Sequence, residues 1–423
     1  MAFDGRENWL HSPAGLRAQL WQRESVRVHA HAEVEPRSKN SITEVEERTF
    51  QHALARGLGT RMGFRSPVVL ELDLFARANN PPEIQTVTKT YLDLTYRAPV
   101  GKGRLIGDDR QVRHLAVRYF TDGAKNAPSV FLRATRMSCF RQDVKLARAV
   151  WSDDENGPLA DDDDGFEHSM EEFRRWESQR ESIEATYGGT TVELHRRFLL
   201  ARLQQRWLAG TERLLHSILL DLLSGVQRTE LSEVELGGVR LPAIDVEDVH
   251  RQFLFTPGIS LELGSLPRRS GEGAAFRQSI SHALMELVAS SPCLFPLLTQ
   301  LAVTILVVAP KTRDNDLGID LDNVAKRVIP LVHRTLEPPG RHPLPDPAAI
   351  NDPGLRAWCQ AEAIRARRLP KHHVTRFEVI EVPRTERDPE SGYVRLALCN
   401  GNGRTFVEFV CDTIKKWEER LTD

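Results

Sequence analysis

Two aspartates, an asparagine and a lysine lie close together and have the types and spacing to hold a divalent cation. They are Asp320, Asp322, Asn323 and Lys326, in the segment DLDNVAK, which comes shortly after the strand-like run LAVTILVVAP. Hard cations such as Mg²⁺ prefer carboxylate oxygens, and clustered carboxylates hold them beside phosphate groups. A neighbouring lysine can offset charge on a scissile phosphate or orient the attacking water. The pattern therefore indicates metal-dependent chemistry on a phosphate.

The same residues also have a purely structural interpretation. Asp322 or Asn323 can cap the helix that the spacing predicts, and Lys326 lies one turn further along on the same side. An i,i+4 ion pair between Asp322 and Lys326 would stabilise that helix by roughly 0.2–0.5 kcal/mol. This interpretation leaves Asp320 and the nearby Asp316 without a role, so the residues alone leave both interpretations open.

The elements that position this cluster occur twice in the chain, in the same order. Alternating or unbroken apolar runs predict strands, and apolar residues at helical spacing predict helices. The first set comprises SVRVHAHAEV, SITEVEERTFQHALARGLG, PVVLELDLFA, EIQTVTKTYLDLTY, GDDRQVRHLAVRYF and SVFLRATRM. The second set comprises ISLELGSLP, EGAAFRQSISHALMELVAS, LAVTILVVAP, DLDNVAKRVIPLVHRTL, HHVTRFEVIEVPR and GYVRLALCN. In both sets the order is strand, helix, strand, helix, strand, strand.

The spacing from first strand to second strand is about 42 residues in both sets, and a fixed period of this size indicates a repeated unit. The alternative is that β-α-β orders recur by chance in α/β proteins. The duplication predicts four segments: an N-terminal extension (1–24), a first α/β domain (25–150), an acidic loop with a helical linker (151–235) and a second α/β domain (236–423). The linker has strong helical periodicity and is expected to pack the two domains together and to offer a surface for protein partners.

A second acidic motif, GDDRQV, contains Asp108, Asp109 and Gln111 and leads into a strand of the first set. A strand followed by D-x-D-N-x-x-K on a helix, and then D-D-[RS]-Q before a strand, resembles the RusA-type Holliday-junction resolvases. The resemblance covers roughly residues 25–125 and 258–385. It implies two tandem RusA-like α/β domains that form a pseudo-dimer, joined by a helical insertion. It also implies that the acids bind Mg²⁺, or alternatively Mn²⁺, and cut branched DNA.

The motifs of that family are divided between the two sets. The second set keeps Asp320, Asp322, Asn323 and Lys326 but has PKHHVTRF, with Lys371, at the position of the acidic pair. The first set keeps Asp108 and Asp109 but has EIQTVTK, with Glu83, Gln85 and Lys89, at the position of the first motif. Three outcomes follow: one composite site formed by Asp320, Asp322, Asp108 and Asp109; one site that works with fewer acids and recruits Glu83, Asp316 or Glu378; or two inactive sites.

Basic residues cluster at positions that could contact DNA phosphates. In the resolvase family the loop after the first strand faces DNA, and lysine or arginine there would neutralise phosphates without reading sequence. The residues assigned to this role are Arg37, Lys39, Arg268, Arg269, Arg367, Arg368 and Lys371. Ordinary solvated surface is the alternative for each cluster. Few aromatic residues are interleaved with the basic runs, which argues against a platform for stacked RNA bases.

The composition sets the remaining expectations. The five cysteines are scattered without CxxC spacing, the net charge is −2, and no stretch has the length and apolarity of a signal peptide or a membrane span. These features are typical of a cytoplasmic protein with reduced thiols. The sequence therefore predicts a Mg²⁺-dependent endonuclease acting on branched or structured DNA. The alternative is a catalytically degenerate nucleic-acid-binding or scaffold protein, for instance a subunit of a defence or mobile-element system.

Overall fold

The computed structural model describes most of the chain between residues 26 and 420. The described residues are 14–15, 18, 26–77, 82–97, 104–120, 127–152, 163–187, 189–224, 235–236, 239–240, 254–256, 258–267, 272–311, 320–336, 350, 353–368, 373–385 and 388–420. Within these ranges, no helix combines the length and the apolar character needed to cross a lipid bilayer.

The strands and helices form a mixed α/β structure, as the sequence predicts. The strands are Val28–Ala32 (β1), Val68–Phe75 (β2), Val112–Phe120 (β3), Ser129–Arg136 (β4), Glu235–Leu236 (β5), Val239–Arg240 (β6), Leu261–Gly264 (β7), Leu301–Val308 (β8), Val374–Val382 (β9) and Tyr393–Asn400 (β10). The helices are Glu44–Leu58 (α1), Ile84–Tyr96 (α2), Met137–Ser152 (α3), Asp163–Tyr187 (α4), Gly189–Ser224 (α5), Gly273–Ser290 (α6), Leu321–Leu336 (α7), Pro353–Arg368 (α8) and Phe406–Arg420 (α9). A short 3₁₀ turn, Asp109–Gln111, leads into β3.

Local sequence explains why these segments adopt these conformations. In the edge strand β1, buried and exposed residues alternate, because only one face of the strand packs on the core. Every residue of β8 is buried, which suits an apolar strand that is covered on both faces. Helix α1 begins with a capping box, in which the Glu46 amide donates to Thr43 Oγ1 over 3.3 Å and the Thr43 amide donates to the Glu46 carboxylate over 2.9 Å.

Eight strands form one continuous sheet in the order β1-β4-β2-β3-β9-β8-β10-β7. The first four strands of this order belong to the predicted first domain, and the last four belong to the second. In the first half, β1–β4 and β4–β2 are antiparallel pairs and β2–β3 is a parallel pair. In the second half, β7–β10 and β10–β8 are antiparallel pairs and β8–β9 is a parallel pair. The strands β3 and β9 join the halves by antiparallel pairing. The strands of both predicted domains thus lie in one sheet, and the domain boundaries remain a prediction.

The register agrees between the halves. The parallel pair β2–β3 has an irregularity after its first residue pair, Val68 and Val112, and β8–β9 has the same irregularity after Leu301 and Val374. At the centre of the sheet, Ala116 of β3 lies opposite Glu378 of β9. Counting from Val112 and from Val374, both of these residues are fifth in their strands. Residues at the same position in the two strands therefore lie opposite each other at the centre of the sheet.

Helices cover both faces of the sheet. One face packs against α1, α2, α6 and α7 in a core that includes Leu54, Tyr91, Ile280 and Val328. The other face packs against α3, α5 and α9, whose buried residues form a second apolar cluster around Phe406. The predicted helical linker appears as α4 and α5, which pack against each other, and α5 also packs against β10. Helices α2 and α7 contact each other across the boundary between the halves.

Candidate metal centre between the two halves

Three aspartates from opposite halves of the sheet come together on the side of α2 and α7. One carboxylate oxygen of each of Asp109, Asp320 and Asp322 lies within 4.8 Å of the other two. Asp109 belongs to the 3₁₀ turn before β3, whereas Asp320 directly precedes α7 and Asp322 is its second residue. The N-terminus of a helix favours negative charge, so α7 stabilises the two acids at its start. Acids from the two predicted domains thus meet in space.

Asp322 is the most deeply placed of the three. Its side chain is only 3% exposed, and neither of its carboxylate oxygens has a hydrogen-bond partner among the described residues. Two ammonium groups lie near Asp322 Oδ2: Lys326 Nζ at 3.1 Å and Lys89 Nζ at 3.3 Å. A buried carboxylate without hydrogen bonds is costly unless other charges compensate it, and both lysines contribute to that compensation.

Lys89 links the two halves through charge. Besides Asp322, its Nζ lies 3.5 Å from Asp109 Oδ2 and 3.1 Å from Asp93 Oδ1 on its own helix, α2. Burial would lower the pKa of Lys89, but the charges of Asp322 and Asp93 raise it above the usual value for lysine. Lys89 therefore carries a positive charge at neutral pH and faces the same carboxylate as Lys326 does.

Asp320 rather than Asp322 or Asn323 caps α7, so the sequence interpretation assigned the cap to the wrong residue. The backbone amide of Asn323 donates to Asp320 Oδ1 over 3.4 Å, and the Asn323 side-chain amide donates to Oδ2. These bonds are those of an N-cap residue, because Asp320 directly precedes the first helical residue and its carboxylate accepts from an amide in the first turn. Helix capping thus accounts for Asp320, while Asp322 makes the predicted i,i+4 ion pair with Lys326 and a second ion pair with Lys89.

Electrostatics separate the two acids at the helix start. Burial, together with the close approach of Asp322 and the charges of Asp322 and Asp109, raises the pKa of Asp320 to about 8. Burial alone would also raise the pKa of Asp322, but the neighbouring Asp320 and the charges of Lys89 and Lys326 hold it below the usual value. Within this pair a proton is therefore held more readily by Asp320 than by Asp322.

The second acidic motif is split in the structure. The exposed carboxylate of Asp108 accepts a hydrogen bond from the Arg110 amide over 2.9 Å, and with Gln111 it forms the capping box of the 3₁₀ turn. Asp109, the next residue, is half-buried and belongs to the aspartate cluster. Neighbouring residues in this extended-to-turn segment direct their side chains differently, so Asp108 is a cap and not a member of the cluster that was predicted to include it.

The other acids considered as substitutes do not join the cluster. Glu83 accepts a hydrogen bond from Gln85 Nε2 over 2.5 Å. Glu378 is fully buried on the opposite side of the sheet, where it accepts the Phe406 amide at 2.8 Å and lies 3.0 Å from His114 Nε2. Asp316 lies outside the described residues.

The basic residues assigned to DNA contact have mixed outcomes. Arg37 pairs with Glu46 at 2.8 Å, and Lys39 pairs with Asp93 at 3.0 Å, so nearby carboxylates already balance their charges. Arg268, Arg269 and Lys371 lie outside the described residues. Arg367 and Arg368 form the last turn of α8, but their side chains are outside the described part.

Two residues of the site were missed in the sequence. Asp93 shares Lys89 with the cluster, and its position four residues after Lys89 is a helical signal that could have identified it. The half-buried Tyr96 lies beside the cluster, and burial together with the charges of Asp109 and Asp322 raises its pKa. Tyr96 is one turn beyond Asp93 on α2, but nothing in its sequence context distinguishes it from a core tyrosine.

Comparison of the chain with protein-family models, curated proteins and solved structures finds no match. The site is therefore interpreted from its own chemistry. Three carboxylates, one of which is buried without a hydrogen bond, form an oxygen-only donor set, which is the kind that Mg²⁺ and Mn²⁺ prefer. The residues present fit a hard divalent cation.

Proposed function

We propose that the chain is a Mg²⁺-dependent endonuclease that acts on branched or otherwise structured DNA. The observation that carries this proposal is the meeting of Asp109 with Asp320 and Asp322, three acids from distant parts of the sequence that form one cluster. The resemblance to RusA-type resolvases rests on the motifs that contain these same acids. Their convergence is what metal-dependent cleavage by such a chain requires.

The proposal includes a duplicated ancestry. Both halves of the sheet have the same strand order, the same strand directions and the same irregularity between their parallel strands. These agreements support two tandem RusA-like domains that form a pseudo-dimer, with α4 and α5 as the helical insertion. In this arrangement the antiparallel pairing of β3 with β9 replaces an interface between two separate subunits.

In this mechanism Asp109, Asp320 and Asp322 hold the cation. When bound, the ion would polarise the scissile phosphate and lower the pKa of an attacking water. Lys89 and Lys326 lie on the same cluster and would stabilise negative charge that develops on the phosphate. Asp320 would give up its proton on cation binding, since a ligand carboxylate must be ionised.

A cleavage assay tests the proposal. The protein is incubated with a four-way junction and with a linear duplex of the same sequence, in Mg²⁺ or Mn²⁺, alongside Asp322→Asn. Asp108→Asn is the matched control, because Asp108 neighbours the cluster in sequence but caps a surface turn. We expect metal-dependent nicking of the junction that survives Asp108→Asn and is lost in Asp322→Asn. Junction cleavage that persists in a correctly folded Asp322→Asn variant would exclude this site.

One observation favours a second candidate, a non-cleaving nucleic-acid-binding or scaffold protein. Two ammonium groups and the proton on Asp320 already offset most of the charge of the three carboxylates. Such a cluster could be a structural ion network that fixes α2 against α7. Titration calorimetry with Mn²⁺ separates the candidates, since a network of this kind would show no saturable binding and the junction would be bound but never cut.

A further inference from the structure

We propose that this molecule cuts only one strand each time it binds DNA, because only one of its two equivalent positions is built as a metal site. The inference rests on the proposed nuclease function and extends it to the product. It depends on comparing each residue of the aspartate cluster with the residue at the same place in the other half of the sheet.

The strand register identifies the counterpart of Asp109. The shared irregularity makes Val112 of β3 equivalent to Val374 of β9. Asp109 is three residues before Val112, and the residue three before Val374 is Lys371. Lys371 lies outside the described residues, and the comparison here is of sequence alone: a lysine stands where the other half has an aspartate.

The helix starts identify the other two counterparts. Helix α2 begins at Ile84 and α7 begins at Leu321, so Glu83 corresponds to Asp320 and Gln85 corresponds to Asp322. Lys89 and Lys326 correspond in the same alignment. The buried position that has the Asp322 carboxylate in one half thus has the amide of Gln85 in the other.

Gln85 engages the one acid that remains at the counterpart position. Gln85 is 5% exposed, and its amide nitrogen donates to Glu83 Oε2 over 2.5 Å. The one acid left at this position is therefore hydrogen-bonded to the residue that replaces the buried ligand. By contrast, the buried Asp322 has two oxygens without hydrogen bonds directed into its cluster. Among the described residues, no second group of three such acids lies together.

This asymmetry determines the number of incisions. A four-way junction presents two equivalent phosphodiesters related by two-fold symmetry, and a protein with two equal sites could cut both while it stays bound. Here one phosphodiester would meet three carboxylates, whereas the described counterpart residues offer the other only one carboxylate, Glu83, and a neutral amide, Gln85. Each incision adds one water: its oxygen bonds to phosphorus, the bond from phosphorus to one sugar oxygen breaks, and that sugar oxygen leaves as a hydroxyl.

A supercoiled plasmid with an extruded cruciform tests the inference. A single nick releases the supercoiling, so the cruciform is reabsorbed and no junction remains for a second binding event. With protein at far lower concentration than plasmid, we expect nicked circles as the end product. Linear plasmid as the main product would overturn the single incision while leaving the nuclease function intact. The absence of both products would instead refute the nuclease function and, with it, this inference.

A metal titration gives a readout that does not depend on cleavage. We expect Asp322→Asn to remove all saturable Mn²⁺ binding, whereas retention of half of the sites would show a second working centre. The double variant Gln85→Asp, Lys371→Asp restores acids at the counterpart position and should shift the plasmid product toward linear DNA. If that variant does not fold, the Mn²⁺ titration of Asp322→Asn still decides the question.

Discussion

Replacing Lys89 with methionine should strengthen cation binding and weaken cleavage at the same time. Lys89 Nζ lies 3.3 Å from Asp322 and 3.5 Å from Asp109, so it competes with a cation for the same carboxylates. Methionine keeps a similar length and apolar stem but lacks the ammonium group. The variant therefore removes a positive charge from the site without opening a large cavity.

The size of the effect follows from Coulomb's law. A single charge about 5 Å from a divalent cation is repelled by roughly 1.7 kcal/mol at the dielectric constant of water. Salt at physiological strength screens this to about 0.9 kcal/mol, since the Debye length is about 8 Å. The side chain of Lys89 is 23% exposed. Because solvent screens a partly exposed charge, the two energies calculated for water are used here. We expect Mn²⁺ to bind Lys89→Met about 5–15-fold more tightly, whereas the cleavage rate falls because the phosphate loses a cationic partner.

Titration calorimetry with Mn²⁺ measures the affinity, and it should be performed near pH 8.5 so that competition from the proton on Asp320 is small. Lys39→Met is the matched control, because Lys39 also pairs with Asp93, at 3.0 Å, but does not contact the cluster. We expect the control to bind Mn²⁺ within about twofold of the parent protein. Weaker binding in Lys89→Met, with a fold shown to be intact by circular dichroism, would refute the assignment of a metal site beside this lysine.

Three further predictions follow from the geometry. Asp109→Asn should abolish junction cleavage, whereas Asp108→Asn should retain it and leave the free energy of unfolding nearly unchanged, because asparagine caps about as well as aspartate; cleavage assays and urea denaturation measure these effects. Glu378→Gln should lower the free energy of unfolding by about 2–4 kcal/mol, because the buried carboxylate caps the Phe406 amide and pairs with His114; a loss below about 1 kcal/mol would contradict this. His216 is fully buried, which lowers its pKa to about 3, so its stabilising contribution is present above the unfolded pKa of about 6.5 and declines as pH falls toward 3. Between pH 7 and pH 5 this histidine lowers the free energy of unfolding by about 2 kcal/mol. His216→Phe should therefore show a correspondingly smaller loss of stability over the same pH range.

The order of strands and helices could be predicted from the sequence because periodicity is a local property. The alternating run of β1 and the apolar run of β8 both appear as strands where the pattern places them. Helices α3 and α8 were not anticipated: α3 begins at Met137, the last residue of a segment interpreted as strand, and its apolar face is apparent only once β4 is known to end at Arg136. A boundary of this kind depends on tertiary packing rather than on local pattern.

The candidate site shows a different limit. The sequence could show that the acids of the first and second halves complement one another, but not that Asp109 and Asp322 approach each other, because that contact depends on how β3 and the turn before it lie against α7. The roles of adjacent residues were also beyond the sequence. Asp108 and Asp109 look alike in the motif, yet the turn directs one to a cap and the other to the cluster.

The covalent continuity of the two halves has a consequence for how such a protein can change over time. In an assembly of identical subunits, any substitution appears in both partners, and dilution separates them by mass action. In this chain β3 and β9 pair within one polypeptide, so their encounter is independent of protein concentration. Under the proposed duplication, each half could then lose what the other keeps, as Gln85 and Asp322 would illustrate, because no half has to function opposite a copy of itself.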